Sequence, residues 1–212
     1  MTTRDPSMPY ATLLAFTRYV NRTGPARANF VGGLRKQRES GSGFNPHSQF
    51  VKALKADIRF RTGGSHTNDV VKTVNPRYQR LYSALSDGAA RYLETLGDPG
   101  QVSLLPVHDA IGVVGGLPVK VAAHFGLLYE NGRRECVRLH FDEDPPTAEA
   151  TTVTLHLLNT HMDQILPGAE AVLVDLRRAE THRDPELRSS PSELDRWLTG
   201  EAAGFAAIWR AA

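Results

Sequence analysis

At Gln101 the hydrophobic pattern of this 212-residue chain changes period, and that change limits the fold classes open to it. Before it, apolar residues recur three and four apart, as on one face of a helix. After it come runs of β-branched and apolar residues broken by glycine pairs, as in strands. Helical periodicity returns from Thr147. A chain that is helical, then sheet-forming, then mixed reads as α+β.

In the first part, Leu13, Leu14, Phe16 and Val20 mark a helix within Pro9 to Asn21, and Phe30, Val31 and Leu34 mark a second after Pro25. Gly32-Gly33 weakens the second by about 1 kcal/mol per glycine relative to alanine. Asn45-Pro46 supplies an N-cap and a proline at the first helical position, and Phe50, Val51, Leu54 and Ile58 form the stripe of a third helix that Gly63-Gly64 stops. After a polar connection, Asn75-Pro76 repeats the start signal for a helix reaching Gly97. The runs Val102 to Val114 and Leu117 to Tyr129, joined at Gly115-Gly116, read as two strands, with Pro106 and Pro118 unable to donate to a ladder. Asn131-Gly132 predicts a type I′ hairpin into a third strand, on which Val137, Leu139 and Phe141 alternate with Arg138, His140 and Asp142. A helix over Thr147 to Leu166, a strand over Ala171 to Leu176, and a last helix opened by the capping box Ser190-Pro191-Ser192-Glu193 complete the chain. The expected architecture is therefore a basic helical region over residues 1–75. An α+β core over 76–212 follows, built from an antiparallel three-strand meander, a helix, a fourth strand and a C-terminal helix. The two parts are expected to form one compact unit.

Charge is informative when split. Residues 1–80 hold 14 Lys/Arg against four acids, a net of +10, and residues 81–212 hold 11 against 19, a net of −8. A basic half suits a polyanion partner, or docking onto the acidic half of the same chain. The single cysteine, Cys136, excludes an internal disulfide and thiol-based zinc sites. No apolar run approaches the ~18 residues of a membrane span. A soluble, cytoplasmic protein without a membrane partner is expected.

No diagnostic catalytic motif is present. There is no G-x-S-x-G elbow, and Gly112 to Gly116 has neither phosphate-loop nor dinucleotide spacing. His140, Asp142, Asp144, His161 and Asp163 read as a solvated strand end and helix surface, and Asp175 with Arg177 and Arg178 as a structural ion pair. The order helix, three strands, helix, strand from about Pro76 to Arg178 resembles the core plan of the restriction-endonuclease-like superfamily, whose active members carry a PD-(D/E)XK signature. The resemblance is one of topology and covers about half the chain. It implies an acid on the second strand and acid-x-lysine on the third, holding a divalent metal that activates water. Here His124 stands near the place of the first acid, Arg138 and His140 stand about where the acid and lysine would be, and no lysine follows Lys120. The resemblance therefore implies a non-cleaving member. The overall pattern is also similar to that of uncharacterised bacterial proteins of this size, a likeness that implies no function.

The functional expectation rests on the basic half. Lys52, Lys55 and Arg59 lie on one side of the third helix beside its apolar stripe, Arg61 extends them, and Arg35, Lys36 and Arg38 form a second cluster upstream. Contacts from such residues to phosphates give salt-sensitive, largely sequence-independent affinity. The expected function is a non-enzymatic nucleic-acid-associated or regulatory binding protein, with no catalytic residue, metal or cofactor. A metal-dependent hydrolase or nuclease using Asp142, Asp144, Asp163 and Asp175 is one alternative, and a protein-interaction subunit with an acidic protein partner is another. The sequence leaves the oligomeric state open.

Overall fold

The computed structural model describes residues 8–41, 45–183 and 189–212. Within them the chain runs through β1 (Ala11–Thr12), α1 (Leu13–Val20), α2 (Gly24–Glu39), α3 (Ser48–Phe60), α4 (Ser65–Thr73) and α5 (Pro76–Thr95). Then come β2 (Val102–Leu105), β3 (Ala110–Val114), β4 (Leu117–Val121), β5 (Phe125–Tyr129), β6 (Arg134–His140), α6 (Ala148–Thr160) and α7 (Met162–Ile165). The last elements are β7 (Glu170–Asp175), β8 (Glu180–His182) and α8 (Pro191–Ala211). The class is α+β, and none of these helices is long and apolar enough to cross a membrane.

Alternation along the central strands sets the layers. Val137, Leu139, Val172 and Val174 pack with Phe50, Leu54, Leu85 and Tyr92 of α3 and α5, while Cys136, Ala171 and Leu173 pack with α1, α6 and α8. The five-stranded sheet, ordered β2-β5-β6-β7-β8, therefore lies between two helical layers. Strands β6 and β7 are parallel and α6 crosses between them, as parallel pairing requires; the other pairs of this sheet are antiparallel.

The expected three-strand meander is not what forms. The first two predicted strands each break in two, while the third forms intact as β6: β2 stops at Leu105, before Pro106, and the second run is interrupted over 122–124. The resulting hairpin β3–β4 leaves the main sheet and pairs with β1 in a separate sheet ordered β1-β4-β3. Its turn needs Gly115 and Gly116, both at positive φ (51° and 82°). The β5–β6 connection is not type I′ either. Asn131 keeps a negative φ and only Gly132 is left-handed at 83°, while the Gly132 amide donates to the Tyr129 carbonyl at 2.9 Å. That geometry is a three-residue hairpin with a glycine bulge.

Helix ends follow local chemistry in most places. Thr12 caps α1 by accepting from the Ala15 amide, Asn75 caps α5, and the predicted capping box opens α8. Helix α4, within the stretch read as a polar connection, is capped from a distance. Its N-cap, Gly64, has no side chain, and the buried carboxylate of Asp57 on α3 accepts instead from the His66 and Thr67 amides at 2.8 and 2.9 Å. The helix predicted over Thr147 to Leu166 ends at Thr160, and α7 follows after His161; β8 is a further strand that the sequence pattern did not mark.

Candidate functional site

A cleft of about 880 Å³ opens at the end of β6. One wall is Tyr10, Thr12, Leu14 and Arg18 on and before α1, with Phe30, Leu34 and Arg38 from α2. The facing wall is the segment Asn45–His47 that leads into α3. The base is His124 together with residues 138–142 at the end of β6. His47 is fixed twice: the Asn45 side chain accepts from its amide at 3.0 Å, and its ring stacks on Phe141 at 4.2 Å between centroids. The His124 ring meets the same phenylalanine edge-on at 5.4 Å.

The protonation states follow from these contacts. His124 Nδ1 accepts the Leu139 amide at 2.9 Å where the β5–β6 ladder ends, so this nitrogen carries no proton and Nε2 is the donor. Burial, with Arg138, His47 and Lys55 adding repulsion, holds its pKa well below the usual value. Burial likewise pushes His47 down to about 4, aided by Arg18 and Arg177 against the opposing pull of Asp142. Both imidazoles are neutral near pH 7.

Arg138 is the unusual member. Its guanidinium donates to the Ala122 carbonyl at 3.0 Å, and no carboxylate among the described residues lies within ion-pair distance of it. Asp109, the acid that acts on it from further off, is engaged by Lys120 at 2.5 Å. Burial lowers the Arg138 pKa to about 10, a large shift for a group that proteins almost never deprotonate. Nearby Arg18 is by contrast neutralised by Asp142 at 2.6 Å. His140 Nε2 donates to the Asp144 carbonyl at 2.8 Å. A desolvated guanidinium with unused donors, beside neutral imidazoles and aromatic walls, is suited to receiving an anion. No group of three or more His, Cys, Asp or Glu side chains among the described residues is placed to hold a metal ion.

The residues expected from the sequence divide among several roles. Arg35 pairs with Glu39 at 3.0 Å and donates to the Trp209 carbonyl at 2.9 Å, so it joins α2 to α8. Arg38 donates to the Tyr10 carbonyl at 2.9 Å and lies over the Tyr10 and Trp209 rings, yet it also lines the cleft. Lys36 is exposed on α2. On α3, Lys52 and Arg59 are exposed and Lys55 is half-buried, close enough to His124 to repel its proton. Arg61 ends α3 in a left-handed conformation, φ 58°, and reaches the Gly100 carbonyl at 3.4 Å. The two clusters thus do not merge, and of their members only Arg38 lines the cleft.

The candidate acids do not converge. Asp142 is held by Arg18, and Asp175 is buried and paired with Arg178 at 2.7 Å, as the sequence suggested. Asp163 sits on the separate helix α7 and Asp144 is exposed. The three residues standing where the resemblance would place an acid and acid-x-lysine, His124, Arg138 and His140, all line the cleft. Sequence reasoning missed Arg18 and His47 altogether, because each looks like an ordinary residue of a helix or its approach. The available signal was the run Arg138-Leu139-His140-Phe141-Asp142, whose polar positions face a second layer of protein as well as solvent. Comparison of the chain with protein-family models and with curated proteins finds no match.

Proposed function

We propose that this protein is a non-enzymatic, nucleic-acid-associated binding protein, and that its contact surface is centred on the cleft and continued by the cationic side of α3. The observation that carries this reading is Arg138, a half-buried charge in the cleft with no acid among the described residues near enough to pair with it. An unpaired desolvated cation costs stability unless a ligand supplies the counter-charge. Lys52, Lys55 and Arg59 extend the positive surface outward from His47, as a phosphate backbone requires. The replacement of acids and lysine by His124, Arg138 and His140 supports binding without cleavage, and the scattered placement of Asp142, Asp144, Asp163 and Asp175 removes the support for a displaced metal site.

The test is binding of a generic duplex and a single strand at low and raised salt, with and without magnesium, followed by inspection of the nucleic acid for cleavage. Affinity that falls as salt rises, is weakened by Lys52→Glu with Lys55→Glu, and leaves the strand intact is the expected outcome. No binding at low salt overturns the reading, and magnesium-dependent cleavage lost in Asp142→Ala would replace it with a hydrolase.

A further inference from the structure

The cleft restricts which part of a nucleic acid can reach its base. The volume of about 880 Å³ is that of a small-ligand site. Arg138 is a half-buried lining residue of this cleft rather than part of an open cationic face. A volume of that size matches a single nucleotide-sized unit.

The lining specifies that unit further. Fixed charges in the cleft are Arg18, Arg38 and Arg138 against Asp142, three positive against one negative, a net of +2. Arg18 and Asp142 cancel locally at 2.6 Å, which leaves Arg138 as the cation with donors to spare. An internal phosphodiester brings one negative charge, whereas a phosphomonoester brings close to two near neutral pH and presents three terminal oxygens to a guanidinium fork. Phe141 at the base and His47 stacked on it, with Tyr10 and Phe30 on the facing wall each covered on one face by an arginine, make the lining aromatic.

Resting on the proposed function, we propose that the cleft binds a phosphomonoester joined to a flat base, with the phosphate on Arg138 and the base against the aromatic walls. Two sources carry that chemistry, the phosphorylated end of a single strand and a free nucleoside monophosphate.

The experiment compares binding of one single-stranded oligonucleotide carrying a 5′-phosphate, a 3′-phosphate or only hydroxyl ends, and of a nucleoside monophosphate and its unphosphorylated nucleoside, at fixed salt. A phosphorylated end should bind about tenfold more tightly than the hydroxyl end, the difference expected of one charge-assisted bidentate contact. Arg138→Met should abolish that preference without lowering the melting temperature. Arg138→Lys, which keeps the charge and loses the fork, should retain only a small part of it and guards against a misfolded methionine variant. Tight binding of the monophosphate but not of any oligonucleotide supports the inference with a free nucleotide as the source and overturns the nucleic-acid reading. Equal, salt-sensitive binding of all oligonucleotides overturns the inference and leaves that reading standing. Binding of none of the probes overturns both.

Discussion

Asp57 is a buried charge and Arg138 a half-buried one, and their surroundings differ in kind. The Asp57 carboxylate accepts from Thr62 Oγ1 at 2.6 Å, the His66 and Thr67 amides, and His66 Nδ1 at 3.1 Å. Burial pushes its pKa up, but these bonds outweigh burial and the net shift is downward. Arg138 has one carbonyl and no acid within ion-pair distance. Asp57→Ala should therefore cost ~3 kcal/mol, whereas Arg138→Met should be neutral or stabilise by ~1 kcal/mol; urea unfolding measures both, and a clear loss in Arg138→Met would make that arginine a structural residue. Acid acts on the two kinds of site in separate windows. His47 has a folded pKa of about 4 against an ordinary 6.5, so the unfolded chain takes the proton first. Its contribution is complete above pH 6.5 and is lost as the pH falls from 6.5 towards 4. Asp57, with its pKa depressed from 3.8, keeps its contribution throughout that window and loses it only below. His47→Phe preserves the stack on Phe141 and removes the titration. The loss of stability between pH 7 and pH 4.5 should then be smaller than in the wild type, by about 2 kcal/mol after allowance for solvent at a partly exposed ring. An unchanged pH profile would place the acid sensitivity elsewhere.

Among the elements, α5 and β7 meet more closely than any periodicity conveys. A Cβ built on Gly88 would stand 1.7 Å from the Leu176 carbonyl oxygen, a backbone atom that cannot swing aside. Gly88→Ala should cost about 3 kcal/mol by forcing the helix off the strand end, although alanine is the better helix former; thermal or urea unfolding reads the loss, and a stabilised variant would refute the contact. Gly88 is also typical of what sequence reasoning did not reach. Helices with their own caps were legible, as with Asn75 on α5 and Ser190 with Glu193 on α8, because the signal and the effect lie within one turn. Helix α4 was not, since its cap comes from Asp57 on the preceding helix. The strand break before β5 was not, because His124 meets the Leu139 amide only after the sheet has formed. The site divides along the same line. Arg138 and His140 were visible as the polar face of an alternating strand, but that face looked solvated because its cover, α1, lies over a hundred residues earlier in the chain. Arg35 and Arg38 were visible as a cationic cluster, but the ring and carbonyl of Trp209 that engage them lie at the far end of the chain.

Across the whole molecule the basic and acidic halves are partly matched to one another. Arg18 meets Asp142, and Arg27 meets Glu201 at 2.9 Å, so some of the positive charge of the first 80 residues is neutralised within the chain. Of the rest, Arg38 lines the cleft, and Lys52 and Arg59 are exposed on α3. Helix α8 holds this arrangement from outside the site. Trp209 is fully buried, its ring lies under the Arg38 guanidinium with the carbon 4.4 Å from the ring centre, and its carbonyl accepts from Arg35. Through those two contacts it fixes the end of α2 that forms one wall of the cleft, although Trp209 does not line the cleft. Trp209→Ala should cost ~4 kcal/mol through the cavity it leaves, and Trp209→Phe, which keeps a ring under Arg38, should cost ~2 kcal/mol. Affinity for a phosphorylated single-strand end, measured at a temperature where both variants are folded, should then fall severalfold in the alanine variant and little in the phenylalanine variant. If the folded alanine variant binds as well as the wild type, the wall formed by α2 stands without the C-terminal helix, and Arg38 contributes nothing to the ligand that its own position on α2 does not already secure.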